Sequence, residues 1–308
     1  MMCANTHHIQ HMQKALNQMN IQLHNVISDI TGTTGLLIIR AIISGERDPR
    51  VLASHRDHRC KSTIEVIEKS LMGHYRDEHI FVLKQALELY EIYQKQIEVC
   101  DEAIEKQLLR FESRKQIAVE PKTSSKKRRT RDKNALMFDL KTHLIRTTGV
   151  DLTAIPGVEA STALKIISEI GLDLSRWKTS KQFASWLGLC PGNRVSGGKR
   201  LGSKSKRTAN YAAAALRMAA SCTHRTNSAL GAYLRRLKAR IGAPKAITAT
   251  AHKIAVIIYN MLKKGVEYVE SGQDYYEQQY RDRVLKSLSL RAKKMGYSLI
   301  QTDVLSTN

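Results

Sequence analysis

Apolar residues recur along most of this chain with a helical period, and the first stretch to show it is 10–27. Met12, Leu16, Met19, Leu23 and Val26 fall on one face there, predicting an amphipathic helix. Ser28-Asp29-Ile30-Thr31-Gly32-Thr33-Thr34-Gly35 reads as a loop and N-cap leading into a short helix over 36–44. Gly45-Glu46-Arg47-Asp48-Pro49 ends it, and the basic stretch to His74 reads as further helix. Over 79–111 the pattern is a sustained heptad. Leu83, Tyr90, Ile97, Ile104 and Phe111 recur every seven residues, with Ala86, Tyr93 and Cys100 between them, while Glu88, Glu91, Lys95, Glu98, Glu102 and Lys106 take other faces. Such a seam serves an antiparallel helical hairpin or a coiled-coil dimer equally well.

After 119 the pattern stops. Pro121 to Arg131 contains no apolar residue and holds the densest positive run, including Lys126, Lys127, Arg128 and Arg129, so 119–134 reads as a basic linker. Helical periodicity resumes at 135–147 and continues with short interruptions, without internal repeats or a βαβ rhythm. The expectation is a mostly α protein. Its segments are a helical region over 1–75, a coiled coil over 76–118, the linker, and a helical domain with a helical tail over 135–308.

Charge narrows the function classes. Among 308 residues, 50 are Lys or Arg and 28 are Asp or Glu, a formal net charge of +22. Self-repulsion on that scale works against compactness and suits a polyanionic partner, because cations on phosphates release condensed counterions. Nucleic acid is the expected partner, with a membrane surface the weaker alternative. Five scattered cysteines (Cys3, Cys60, Cys100, Cys190 and Cys222) form no CxxC pair, which argues against a disulfide framework or zinc site and fits a reducing cytoplasm. No stretch is apolar enough for a membrane span or signal peptide.

Two segments carry candidate chemistry. Leu152-Thr153-Ala154-Ile155-Pro156-Gly157-Val158-Glu159, followed by a helix over 160–170, resembles a helix-hairpin-helix element, with Gly157 facing a DNA phosphate through backbone N–H groups. Glu159 stands where the usual hairpin has a second glycine. The other segment runs from Leu187-Gly188-Leu189-Cys190-Pro191-Gly192 through Arg194, Ser196, Gly197, Gly198, Lys199 and Arg200 to Lys204, Lys206 and Arg207. Glycines that expose backbone, interleaved with cations and hydroxyls, make an anion site suited to phosphodiesters; the spacing is not that of a Walker loop. No set of carboxylates for two-metal chemistry stands out, and no metal ligands are assigned.

These blocks, with Ser28-Asp29-Ile30-Thr31-Gly32 through Gly45-Glu46-Arg47-Asp48-Pro49, resemble insertion-sequence transposases of the family numbered one-ten, especially its eleven-eleven subgroup. The resemblance covers 12–111 and 152–264. It implies a RuvC-like domain with four metal-binding acids, then a coiled coil, then a helical transposase domain with a nucleophilic serine, here Ser196. It also implies duplex DNA as substrate, a structured guide RNA, Mg²⁺ in a complete enzyme, homo-oligomeric assembly, and a bacterial cytoplasmic, nucleoid-associated setting. Met1 falls where such a first domain is ending, so a truncated or frameshifted copy, inactive alone, is expected; Thr208 departs from the glycine that relatives carry. A non-catalytic nucleic-acid-binding and dimerisation module is the alternative reading.

Overall fold

A computed structural model describes residues 1–115, 136–192, 194–202, 205 and 208–300, and they fold as two compact units, Met1–Ile104 and Glu105–Asn308. The fold is mostly helical, as the periodicity predicts, with one small two-stranded sheet.

In the first unit, α1 (Met2–Gln18) ends sooner than the single helix expected over 10–27, and α2 (Leu23–Val26) follows after a break. Asn20 adopts φ 59°, a left-handed conformation that its short amide side chain tolerates. The reason lies at Ile21. On an unbroken helix Ile21 would sit opposite Met12, yet both are fully buried, so the chain must turn between them. α3 (Thr33–Ile43) buries Ile38, Ile39 and Ile42. The basic stretch after it is less continuous than expected: α4 (Pro49–Ser54) starts with Pro49 at its first turn and Asp48 capping the Arg50 amide, and α5 (Ile64–Ser70) follows a loop.

The long heptad stretch is α6 (Asp77–Arg110). Leu83, Ala86, Leu87 and Tyr90 enter the core shared with α1 and α3. His8 stacks on Tyr93 at 5.4 Å between ring centroids, and Met1 Sδ lies 3.8 Å from Cys100 Sγ. The start of α1 thus meets the far part of α6, so α1 lies antiparallel along the seam. Between the two readings that the heptad left open, this portion of the seam is filled within the chain. Arg40 on α3 adds a 2.6 Å ion pair to Glu91, exposed and therefore of small energetic weight.

In the second unit, α7 (Leu140–Thr148) is capped by Asp139 and turns out through Gly149. Its Arg146 closes the end of α6, donating from Nη2 to the Leu108 carbonyl at 2.6 Å and from Nη1 to that of Phe111 at 3.2 Å. A cation at a helix C-terminus meets both the orphan carbonyls and the negative end of the macrodipole. A 3-10 turn at Leu152–Ala154 leads to α8 (Ala160–Ile170), and α9 (Ser180–Trp186) follows. Strands β1 (Arg194–Ser196) and β2 (Lys199–Gly202) precede α10 (Tyr211–Cys222), α11 (Ala229–Ile241), α12 (Ala243–Lys264) and α13 (Gly272–Lys294).

Helix α10 packs on α8 and α12, α12 also on α9 and α11, and α11 on α13. The long α12 buries Ala246, Ala251, Ile254, Ala255 and Ile258 along one side. Trp177, Phe183, Trp186 and Tyr259 make an aromatic cluster between the α9 region and α12, locked where the Tyr259 hydroxyl donates to the Trp177 carbonyl at 2.8 Å. No described helix is long and apolar enough to cross a membrane.

His252 sits half-buried on α12, and burial alone pushes its imidazole below the usual value. Because the folded value is depressed, acidification protonates the unfolded chain first. Stability attributable to this residue is present above about pH 6.5 and is lost as pH falls from there through the folded value. We expect His252→Gln to flatten the decline of melting temperature between pH 7 and 5, measured by calorimetry. Superimposable pH profiles for the two proteins would remove His252 from the explanation.

Candidate nucleic-acid interface

The site that sequence singled out as a basic glycine-serine loop is a β-hairpin. β1 and β2 pair antiparallel, with Val195 opposite Arg200 and Ser196 opposite Lys199, and an irregularity beside Arg194. Only Gly197 and Gly198 lie between the closing pair, at φ 54° and 74°. Two consecutive left-handed residues define a type I′ turn, whose twist matches that of the strands it joins. A Cβ added at either glycine would meet nothing within 4 Å, so these glycines serve the turn's conformation and the tip stands in open space.

Ser196 is exposed at that tip, and no described residue hydrogen-bonds its hydroxyl. Lys199, its cross-strand neighbour, is also exposed. Arg194 and Arg200 occupy strand positions in the same hairpin. Lys126, Lys127, Arg128, Arg129, Lys204, Lys206 and Arg207 lie outside the described residues.

Both flanks of the hairpin are anchored. Before it, Leu187 and Leu189 are buried, and Cys190 follows with its thiol pushed up by burial, so it stays protonated at neutral pH. After it, Thr208 donates its hydroxyl to the Leu187 carbonyl at 3.3 Å, and Asn210 caps α10 by accepting from the Ala213 amide at 3.1 Å. The threonine noted as a departure therefore ties the two flanks together.

Gly157 has a different role from the turn glycines. At φ 83° it ends the turn before α8, and a Cβ there would come within 2.3 Å of the Ala219 carbonyl oxygen on α10. The close approach that this glycine provides is to helix backbone within the unit. Glu159 is the N-cap residue of α8 and makes no side-chain cap.

Sequence reasoning passed over the outer face of α10. Tyr211 is 76% exposed and Met218 65% exposed, with Ala214, Ser221 and Cys222 also exposed and Arg217 part-buried between them. The spacing of Tyr211, Ala214, Met218 and Ser221 was a readable sign of a helix face turned away from the alanines. Exposed Arg176 lies over the edge of the aromatic cluster, its guanidinium 5.0 Å from the buried Trp177 ring centroid and 5.9 Å from that of Trp186. Elsewhere, the first unit holds a cleft of about 560 Å³ lined by His24, Asp29, Thr33, Asp57, Arg59 and Lys61 among others. Hydrogen bonds from Arg59 hold the Asp57 carboxyl far below the usual carboxylate range.

Residues 151–235, from the turn before α8 to the middle of α11, match the sequence model of the Transposase IS116/IS110/IS902 family. The segment therefore contains the hairpin, α10 and Gly157. The chain is also 32% identical over 122 residues to a protein of Pseudomonas aeruginosa named "Probable family 20 transposase". That similarity covers 38% of this chain and 36% of the relative, so the chain spans about a third of the curated protein it matches. The second unit thus carries a segment similar to an insertion-sequence transposase domain.

Gly157→Ala should cost roughly 2–4 kcal/mol, from left-handed strain together with the overlap on Ala219. Gly197→Ala, with open space around it, should cost only the strain, roughly 1–2 kcal/mol. Denaturant melts of the two variants check the difference in size. Equal losses would mean that the α8–α10 approach does not depend on the glycine.

Proposed function

We propose that this chain is the DNA-handling portion of an RNA-guided insertion-sequence transposase, with Ser196 as the nucleophile of phosphoryl transfer. The observation that carries this reading is the exposed Ser196 hydroxyl, without a hydrogen-bond partner among the described residues, beside a type I′ glycine turn and Lys199, inside the segment similar to transposases. A serine hydroxyl needs activation and aim, and phosphoryl transfer gains most from donors and cations around the phosphate. Here the open tip admits a phosphodiester, while Lys199 and the turn amides stand within the same hairpin.

In the reaction the Ser196 Oγ–H bond breaks and an Oγ–P bond forms. The phosphorus–oxygen bond to one DNA strand breaks in the same displacement, and that strand leaves with a hydroxyl. The proton released by Ser196 passes to a base and another is delivered to the leaving oxygen. The covalent serine–DNA ester keeps the bond energy needed for rejoining to a second strand. Among the described residues no three His, Cys, Asp or Glu side chains converge, so they do not fit the Mg²⁺ that the resemblance implies for a complete enzyme. No step above runs through a metal. Duplex DNA and a structured guide RNA are the proposed partners, with Lys126–Arg129, Lys199, Lys204, Lys206 and Arg207 on phosphates and Tyr211 stacking on an unpaired base.

Binding and chemistry separate in the test. Affinity for duplex DNA or structured RNA should fall about 10³-fold or more between roughly 50 and 200 mM salt if six or more phosphates are contacted. Lys199→Ala should lower the salt slope by about one contact, while Ser196→Ala leaves affinity unchanged. With a nicked, guide-paired DNA that prevents rejoining, a covalent protein–DNA adduct is expected from a complete, guide-loaded transposase carrying this segment. It should survive Ser205→Ala and vanish in Ser196→Ala. An adduct retained in Ser196→Ala would overturn the nucleophile assignment, and binding indifferent to salt would overturn the electrostatic one. Salt-sensitive binding with no adduct from any form would instead favour a non-catalytic nucleic-acid-binding module.

A further inference from the structure

The side of α6 turned away from the first unit's core carries a second heptad. Val82, Gln85, Leu89, Ile92, Gln96 and Val99 follow one another at alternating intervals of three and four residues, and all six are exposed. Val82 is 45% exposed, Leu89 40%, Ile92 55% and Val99 53%. No charged residue interrupts this row over about 25 Å of helix. Single apolar side chains on a surface are ordinary, but a continuous uncharged row with coiled-coil spacing is a contact surface without its contact.

The row reads almost the same in both directions: Val, Gln, Leu, Ile, Gln, Val. Two such helices laid antiparallel match layer for layer. Val82 meets Val99 of the second copy, Gln85 meets Gln96, and Leu89 meets Ile92, with each pair repeated across the two-fold axis. Paired glutamine amides can each donate and accept, so the two polar layers satisfy one another and fix the register. The flanking charges obey the same symmetry. Glu88 and Lys95 precede Leu89 and Gln96 by one position, and antiparallel crossing sets Glu88 of each copy against Lys95 of the other. Both are exposed; Glu88 has a 3.5 Å contact from Gln85, which a closing interface can readily exchange.

We propose that this face, rather than the Leu83–Tyr90–Ile97 seam, is the self-association surface of the protein, and that it forms an antiparallel, two-fold helix pair with a second copy of the chain. A two-fold contact must be isologous, with each patch complementary to itself, which is the property this row has. The proposal does not depend on the reading of the second unit as a transposase segment.

Sedimentation of the nuclease-treated 308-residue protein should give a dimer at micromolar concentration. Ile92→Asp places a charge at an exposed position, so the fold should survive, as circular dichroism will report, while the dimer is lost. Glu88→Lys and Lys95→Glu should each weaken self-association at least tenfold. Mixing the two single variants should restore it, because the mixed pair has both opposite-charge contacts while each homodimer has neither. A monomeric wild-type protein overturns the proposal. So does a dimer that persists in folded Ile92→Asp, or a pair of charge variants that do not rescue one another.

Discussion

The small-residue surface of α10 sets the geometry of the second unit. Ala212, Ala213, Ala215, Ala219 and Ala220 are all buried, and with no side chain longer than a methyl they let α8 and α12 come close on either side. At the turn before α8 even a methyl is too much, and Gly157 lies directly against the Ala219 carbonyl. That contact lies near the far end of α10, whose start is set by its Asn210 cap. Because Asn210 caps α10 and Thr208 ties back to Leu187, the hairpin just ahead of the helix has both ends attached to the packed body. A side chain on such a hairpin is positioned by packing some distance away, so a loosening of α10 would displace Ser196 without touching it.

Much of this was legible in the amino-acid sequence, and the parts that were not have identifiable causes. Residues 160–170 and 79–111 show themselves as helices because their apolar spacing agrees with their true faces, and α8 has the expected bounds while α6 differs by a residue or two. The break after α1 was hidden because Met12, Leu16, Met19 and Leu23 keep helical spacing across it; only Ile21, apolar on the wrong face, betrays the turn. The heptad of α6 was legible as a seam but not as one occupied by α1, since periodicity reports that a face is buried and never by what. Its second, exposed heptad escaped notice because glutamines stand in two of its six places. Ser196 and its glycines were found from composition. Their arrangement as paired strands was not, because runs of three and four residues carry no periodic signal, and the diagnostic feature is a turn that needs two positive φ angles in succession.

The contrasting glycines and hydroxyls of the candidate interface show why residue type alone could not assign roles there. Gly197 and Gly198 are required by backbone conformation and have space around them, whereas Gly157 is required by a neighbour's backbone. Thr208 spends its hydroxyl on a carbonyl, and Ser196 has no hydrogen-bond partner among the described residues. A free hydroxyl in an open, cation-bearing turn can meet a phosphate; one already donating to Leu187 holds the turn in place.

The same distinction governs the positive charge, and it limits what the +22 excess can mean. Several of the cations in the second unit are committed to carbonyl oxygens of their own fold. Arg146 closes the end of α6, Arg235 donates to the His224 and Thr226 carbonyls, each at 2.9 Å, and Lys263 reaches the Trp177 and Lys178 carbonyls. Arg236 lies 3.3 Å from the Tyr280 ring centroid, its charge facing a π surface rather than solvent. Such groups contribute to the long-range potential that draws a polyanion in, but they cannot turn to grip a phosphate without giving up a helix end or a turn. Lys199 has no such commitment among the described residues. Salt-dependent affinity counts phosphate contacts, not formal charge. The number of contacts therefore has to be read from the cations that the fold leaves unused, of which exposed Lys199 on the hairpin is one.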